Sequence, residues 1–191
     1  SKKKTFLYEM QRDFYGFFVC NDVKRRETVC RSERRNDRKD DRVIANVCVD
    51  SFEEERWFIV LSGTGGMGKS MMMTHFMLDT IDRNKETGKV PVFVLLRDYN
   101  PAAGDLIDFI FGELKRHDVD LHLSDLVELL QSGKGVILFD GLDEIKSENC
   151  RRFYKEMENL ADSYPEASYI VSSRPTMNFR GLSRFTVYDL Q

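Results

Sequence analysis

The feature that most constrains the fold is a glycine-rich stretch that directly follows a short apolar run. The run is W57-F-I-V-L61 and the stretch is G63-T-G-G-M-G-K-S70, after which apolar residues resume at helical spacing. Glycine adopts backbone conformations that are closed to residues with a Cβ, so successive N–H groups of such a turn can converge on one anion. The spacing G-x-x-x-x-G-K-[ST] between a predicted strand and a predicted helix therefore indicates a phosphate-binding loop rather than an ordinary glycine turn.

The motif predicts a continuous set of nucleotide-binding residues. They are Gly63, Thr64, Gly65, Gly66, Met67, Gly68, Lys69, Ser70 and Met71. We expect Lys69 to reach the β- and γ-phosphates, and the hydroxyl of Ser70 to take part in the shell of a Mg²⁺ ion. The helix that begins near Lys69 adds unpaired N–H groups and the positive end of its dipole. The side chains that follow at helical spacing are predicted to be packing or surface residues: Met71, Met72, Met73 and His75.

From Trp57 onward, short apolar runs alternate with patterns of helical length. The runs cover residues 57–61, 90–96, 136–139 and 168–172, with a weaker one at 185–188, and the helical patterns cover residues 69–83, 103–117, 124–131 and 150–163. Runs without polar alternation are typical of strands that are buried on both faces. The alternation predicts an α/β fold, a P-loop NTPase three-layer sandwich with a mainly parallel central sheet and helices on both faces.

A second group of candidate residues follows the third of these runs, in V136-I-L-F-D-G-L-D-E144. Asp140 ends a predicted buried strand, next to the crevice where open α/β sheets bind ligands, and is the predicted Mg²⁺ carboxylate. Asp143 and Glu144 follow on the loop, and either could orient or deprotonate a water molecule that attacks the γ-phosphate. Both are therefore candidate catalytic residues, and we favour Glu144.

Two arginines also end predicted strands. Arg174 follows the run I-V-S-S. It is a candidate nucleotide sensor, because the fork of donors on its guanidinium group suits a terminal phosphate. The alternative is a surface arginine before the turn at Pro175. Arg97 ends V92-F-V-L-L-R97, where a structural ion pair and an interface role are equally compatible with the sequence.

The first 56 residues differ from the rest of the 191-residue chain in their pattern of apolar and charged residues. We expect an N-terminal extension over residues 1–56, with a short amphipathic helix over 6–18 and a charge-rich solvated loop or irregular hairpin over 24–42. The nucleotide-binding domain is expected over residues 57–191. The net charge of −3 gives no indication of direct binding to nucleic acid or membrane. We expect a cytoplasmic protein with reduced thiols, because its four cysteines are scattered and the sequence shows no signal or membrane segment.

Taken together, these segments resemble the NACHT family of signal-transducing (STAND-class) P-loop NTPases, from Trp57 to Leu190. The resemblance is carried by the phosphate loop, the strand that ends in Leu96 and Arg97, the acidic motif D140-G-L-D-E144 and the run S-S-R-P from Ser172 to Pro175. It implies that Arg174 matches the family's sensor 1 arginine and that its strand lies between the other two motif strands. It also implies that the family's helical and winged-helix segments would follow the residues present here.

The resemblance implies a nucleotide-dependent switch: an ADP-bound resting state, exchange for ATP, and self-association, with slow hydrolysis and a role in innate immune or antiphage defence. ATP is favoured over GTP, since the N84-K-E-T87 segment lacks the aspartate of a guanine-binding N-K-x-D motif. A metabolic P-loop kinase or transferase that acts on a small acceptor is the alternative, with the charged residues 32–42 as its lid. A third hypothesis is a scaffold in which bound nucleotide only stabilises the fold.

Overall fold

The computed structural model describes residues 14–15, 18–26, 43–48, 51–52, 57–116 and 121–191. The strands are β1 (Val23–Arg25), β2 (Val43–Ile44), β3 (Phe58–Ser62), β4 (Val90–Leu95), β5 (Gly135–Asp140), β6 (Ser168–Ser173) and β7 (Thr186–Leu190). The α-helices are α1 (Lys69–Asp82), α2 (Asn84–Thr87), α3 (Leu106–Arg116), α4 (Leu123–Gln131) and α5 (Ser147–Ser163). Strands and helices alternate from β3 onward, as the sequence predicts.

The described strands form one seven-stranded sheet in the order β2-β1-β7-β3-β6-β5-β4. The strands from β7 to β4 are parallel, and β1 and β2 extend the sheet antiparallel at the β7 side. Strand β6 lies between β3 and β5, so the carboxyl ends of these three strands meet at one edge of the sheet. The three predicted motifs follow these three strands, and the fold therefore brings them to one place.

Two hydrophobic clusters cover opposite faces of the sheet, because successive side chains of a strand alternate between its faces. In β5, Ile137 and Phe139 belong to the cluster with α3, α4 and α5, whereas Val136 and Leu138 belong to the cluster with α1. Helix α5 buries residues at the spacing of one helix face: Phe153, Met157, Leu160 and Ala161. Helices on both faces of a mainly parallel sheet make the three-layer α/β sandwich that the sequence predicts.

The last strand differs from the prediction. The weak run at residues 185–188 predicts a strand buried on both faces, but in β7 only Leu190 is buried and the other four residues are half-buried. Helix α1 packs mainly against β4, β5 and β6, and so leaves more of β7 uncovered. Two helix starts also differ: α3 begins at Leu106, after a separate 3₁₀ turn capped by Asn100, and α5 begins at Ser147.

The prediction for the N-terminal residues missed that part of them joins the main sheet. The ends of the charge-rich segment pair as the antiparallel strands β1 and β2, and residues 27–42 between them lie outside the described residues. Strand β1 then pairs with β7. Of the helix predicted over residues 6–18, residues 14 and 15 are helical and most of the remainder lies outside the described residues. In the part of the chain that the structure describes, no helix has the length and apolar character needed to span a bilayer.

Candidate nucleotide site

The predicted phosphate loop connects the end of β3 to the start of α1. The backbone N–H of Gly63 donates to the backbone oxygen of Ser173 at 3.1 Å, which ties the start of the loop to β6. Gly66 and Gly68 have φ values of +82° and +80°, a region that residues with a Cβ rarely adopt. A Cβ built on Gly65 or Gly66 would meet nothing within 4 Å. The loop therefore has the backbone form and the open space that a phosphate cradle requires.

Helix α1 starts directly at this loop and lacks a side-chain cap. Its N-cap is Gly68 in a left-handed conformation, and its first turn contains no acidic residue. The first N–H groups of the helix and the positive end of its dipole are therefore available to an anion. Lys69 donates from Nζ to the backbone oxygens of Gly63 at 2.8 Å and Thr64 at 3.0 Å. These bonds hold its ammonium group over the loop.

Two consecutive serines of β6 join the phosphate loop to the acidic end of β5. Ser173 accepts the hydrogen bond from Gly63, and the hydroxyl of Ser172 donates to Oδ1 of Asp140. The backbone N–H of Gly141 in turn donates to the hydroxyl of Ser172 at 2.9 Å. Since neighbouring strands lie about 4.8 Å apart, the ends of β3 and β5 are roughly 10 Å apart. The two predicted motifs thus lie on either side of one strand.

The acidic turn after β5 holds Asp143 and Glu144 in different surroundings. Asp143 is 12% exposed, and its Oδ2 lies 2.8 Å from Nε of Arg174. Its Oδ1 accepts the backbone N–H of Arg174 at 3.0 Å. Glu144 is exposed. The carboxylate of Asp143 is therefore engaged by the candidate sensor arginine, whereas that of Glu144 faces the solvent.

Arg97, predicted to end a strand, lies in the 3₁₀ turn Leu96–Asp98 that follows β4, next to the acidic turn, and its side chain is 62% exposed. Its Nε lies 3.8 Å from the carboxylate of the adjacent Asp98, at the outer limit of an ion pair. Such a contact contributes little to stability. An interface role for Arg97 stays a prediction.

The residues present fit a Mg²⁺ ion held between the loop and the acidic strand end. Side-chain alternation in β5 directs Asp140 to the face covered by α1, where Ser70 lies in the first helical turn. Both supply oxygen atoms, which Mg²⁺ prefers, and the ion usually keeps several waters and binds substrate phosphates. Among the described residues no group of three or more His, Cys, Asp or Glu side chains could hold a metal. Ser70 and Asp140 would supply two oxygen donors, and waters and phosphate oxygens would complete the shell.

A pocket of about 290 Å³ adjoins the phosphate loop on the side of the N-terminal residues. One wall, which we call the N-terminal wall, consists of Phe18, Val19 and Asn21; the other lining residues are Gly66, Met67, Gly68, Met71 and Gln191. The side-chain amide of Asn21 donates to the backbone oxygen of Met67 and so fixes this wall to the loop. The pocket is at the small end of the range for ligand sites, a volume suited to one planar group rather than a whole nucleotide.

Several residues around the site were not found from the sequence. The role of Ser172 could have been predicted, because a buried serine near the end of a strand needs a hydrogen-bond partner for its hydroxyl. Arg26 could not: it donates to Asp189 and, at 2.9 Å, to the hydroxyl of Ser62, and these residues are distant in the sequence. His75, predicted as a packing or surface residue, is half-buried and contacts the N-terminal residues.

A parallel sheet with a glycine loop and lysine after one strand and an aspartate at the end of a nearby strand defines the chain as a P-loop NTPase fold. The model of the NACHT domain family matches residues 58–190, and the chain belongs to this family. Among solved structures it is similar to C. elegans PCH-2, with 15% sequence identity, a TM-score of 0.44 and coverage of 74% of this chain. The chain spans 37% of the length of that protein. No curated protein sequence matches the chain.

Proposed function

We propose that the chain is the nucleotide-binding module of an ATP-dependent signalling switch. In this proposal it holds ADP at rest, exchanges it for ATP, and then self-associates, with slow hydrolysis as the return step. The NACHT family match and the form of the phosphate loop support nucleotide binding. A role in innate immune or antiphage defence within the cytoplasm is supported by the family membership.

The observation that carries the switch proposal is the ion pair between Arg174 and Asp143. Arg174 follows β6, the neighbour of β3, and Asp143 follows β5, the next strand on the same side. A γ-phosphate would compete with Asp143 for the guanidinium, because charge-assisted bidentate bonds to phosphate are among the strongest that arginine makes. ADP lacks this group. ATP and ADP would therefore leave the acidic turn in different arrangements.

The energy available from this one exchange limits what the module can do alone. A hydrogen bond to a charged group contributes about 1.5 to 3 kcal/mol, whereas shifting a two-state equilibrium from about 1:99 to 99:1 needs about 5.5 kcal/mol. Further contacts to the γ-phosphate are required, from Mg²⁺ or from other parts of the protein. A complete switch therefore depends on more than Arg174.

Each part of the site has a proposed task in binding and slow hydrolysis. Lys69 and the N–H groups of the loop bind the phosphates, and the pocket bounded by the N-terminal wall takes the base, for which adenine is favoured. When bound, Mg²⁺ neutralises developing charge on the phosphates, and Ser70 and Asp140 would hold it. Glu144 has an exposed carboxylate that can orient a water molecule.

The alternative of a small-molecule kinase or transferase is not favoured by the family. Such enzymes need a lid and an acceptor pocket, and the charged residues 32–42 that could form a lid lie outside the described residues. An assay for a phosphorylated product tests this alternative.

In the scaffold hypothesis, a non-hydrolysable ATP analogue would replace ATP without loss of function.

Titrations of ADP and of a non-hydrolysable ATP analogue, with and without Mg²⁺, test the proposal directly. We expect both nucleotides to bind, and light scattering to detect self-association only with the analogue. Absence of nucleotide binding would refute the assignment of the loop. Rapid turnover by the monomeric chain, abolished in Glu144→Ala, would refute the slow switch in favour of an ordinary ATPase.

A further inference from the structure

His75 lies on helix α1 and contacts two separate parts of the N-terminal residues. Its Nδ1 atom lies 2.9 Å from the hydroxyl oxygen of Tyr15, and its Nε2 atom lies 3.0 Å from the backbone oxygen of Val47. The ring of Phe18 stacks on the imidazole, with 4.9 Å between ring centroids and 26° between ring planes. One side chain of the phosphate-loop helix thus makes three contacts with residues that precede the loop in the sequence.

These hydrogen bonds select one tautomer of the neutral imidazole. A backbone oxygen can only accept, so Nε2 donates its proton to Val47, and in the neutral ring Nδ1 accepts the hydroxyl proton of Tyr15. Burial lowers the pKa of His75, while the hydrogen bond to Val47 and the charge of Asp79 act in the opposite direction. The neutral imidazole satisfies both partners.

The same contacts reach the pocket beside the phosphate loop. Phe18, which stacks on His75, belongs to the N-terminal wall, and at the other end of that wall Asn21 donates to Met67 of the loop. Between these two attachment points the side chain of Val19 is 79% exposed. The position of the wall therefore depends on His75 at one end and on Met67 at the other.

We propose that His75 is a positioning residue for nucleotide binding, which holds the N-terminal wall against helix α1 and so completes the part of the site that contacts the base. This proposal rests on the proposed nucleotide-binding function of the loop. His75 touches neither the phosphates nor the reacting atoms. It acts through Phe18, which lines the pocket and whose ring is itself stacked on His75 and on Phe14.

The test compares two probes, ADP and inorganic tripolyphosphate, on the 191-residue chain. Tripolyphosphate fills only the phosphate loop, whereas ADP also needs the base pocket. We expect His75→Ala to weaken ADP binding by about fivefold or more, because the displaced wall no longer packs against the base, and to leave tripolyphosphate affinity within about twofold. Tyr15→Phe, which removes only the hydroxyl, should give a smaller loss for ADP alone. Lys69→Ala should weaken both probes.

Two outcomes would contradict the positioning role of His75, and both can be distinguished from failure of the proposed nucleotide-binding function. An ADP affinity unchanged in His75→Ala would overturn the positioning role. An equal loss for both probes would do the same, because it would indicate a general effect on the helix. If the unsubstituted chain binds neither probe, the loop assignment itself fails.

The pH dependence of ADP binding provides a second readout. Since burial lowers its pKa, His75 is neutral above pH about 6.5 and becomes charged as the pH falls through the lowered value. The groups that face this cluster are Tyr15, Cys20, Asp79 and Asp82; burial raises the pKa of Tyr15 to about 12 and also raises that of Cys20, so both stay neutral. Both probes also titrate near neutral pH, so the readout is the difference between the two chains. As the pH falls through the lowered pKa of His75, we expect the ratio of ADP to tripolyphosphate affinity to fall more in the unsubstituted chain than in His75→Gln. A ratio with the same pH dependence in both chains would contradict the role of His75.

Discussion

Arg174 and Asp143 are joined twice, through Nε of the guanidinium to Oδ2 at 2.8 Å and through the backbone N–H to Oδ1 at 3.0 Å. The side chain of Asp143 is 12% exposed, while that of Arg174 is 59% exposed. The carboxylate is therefore fixed and the arginine has solvent on one side, from which another anion can approach. This asymmetry makes Arg174 the partner that can exchange.

Replacement of Arg174 should change the preference for ATP over ADP. We expect Arg174→Ala to weaken binding of a non-hydrolysable ATP analogue roughly ten- to 150-fold, the loss expected from one charge-assisted hydrogen bond. ADP affinity should stay within about twofold. Calorimetric titrations measure both, and Arg180→Ala, which removes another exposed arginine of the same loop region, serves as the control. An equal loss for the two nucleotides would exclude a sensor role.

Substitution of the two acids of the turn should affect different steps, nucleotide binding for Asp143 and hydrolysis for Glu144. In Asp143→Asn the amide oxygen can still accept the backbone N–H of Arg174, but the competing charge is lost, so we expect tighter binding of the ATP analogue. Glu144→Gln should leave both nucleotide affinities nearly unchanged and slow the residual hydrolysis. Titrations and a single-turnover phosphate-release assay separate these effects. Slower hydrolysis in Asp143→Asn with normal hydrolysis in Glu144→Gln would reverse the assignment.

Lys69→Ala should abolish the thermal stabilisation that nucleotide gives. A ligand at about 100 times its Kd stabilises a protein by about 2.7 kcal/mol, which corresponds to a rise in Tm of roughly 5 to 10 °C for a chain of this size. The variant should lose this rise, because the ammonium group bound to the oxygens of Gly63 and Thr64 is the cation nearest the loop backbone. A melting scan with and without Mg-ADP measures it. A full shift in the variant would contradict the loop assignment.

Ser172→Ala should weaken the response to Mg²⁺. Ser172 donates to Asp140 and accepts from Gly141, so its loss leaves the candidate metal carboxylate without the hydrogen bond that orients it. Loss of such a supporting bond typically lowers metal affinity by about tenfold or more. We expect the Mg²⁺ concentration that gives half-maximal ATP binding to rise accordingly.

Ser173→Ala is the matched control for this prediction. Ser173 is equally buried, but its hydroxyl donates to the backbone oxygen of Arg174 rather than to Asp140. A similar Mg²⁺ dependence in the two variants would refute the role of Ser172. A drop in Tm alone, without a change in Mg²⁺ dependence, would indicate that Ser172 only stabilises the fold.

Local patterns were sufficient to predict the sheet from β3 onward, because its strands are continuous apolar runs and its helices bury one periodic face. The phosphate loop, Asp140 and Arg174 were found for the same reason, since each directly follows such a run. The pairing of Arg174 with Asp143 was not predictable from local patterns, because it depends on how the segments that follow two neighbouring strands approach each other. The contacts of His75 were not predictable either, because its partners Tyr15 and Val47 are distant from it in the sequence.

The N-terminal strand is a further feature that sequence patterns did not predict, and its attachment can be measured. Arg26 donates to both carboxylate oxygens of Asp189 and to Ser62, the last residue of β3. We expect a double-mutant cycle of Arg26→Ala and Asp189→Ala to give a coupling of about 1 kcal/mol, because the pair is bidentate and only about one-third exposed. The control cycle uses Arg184 and Asp162, a single contact at 2.8 Å whose side chains are 46% and 60% exposed. Exposed pairs of this kind contribute about 0.5 kcal/mol or less. Denaturant unfolding measures both cycles, and equal couplings would mean that Arg26 does not anchor β1 to the strands beside the phosphate loop.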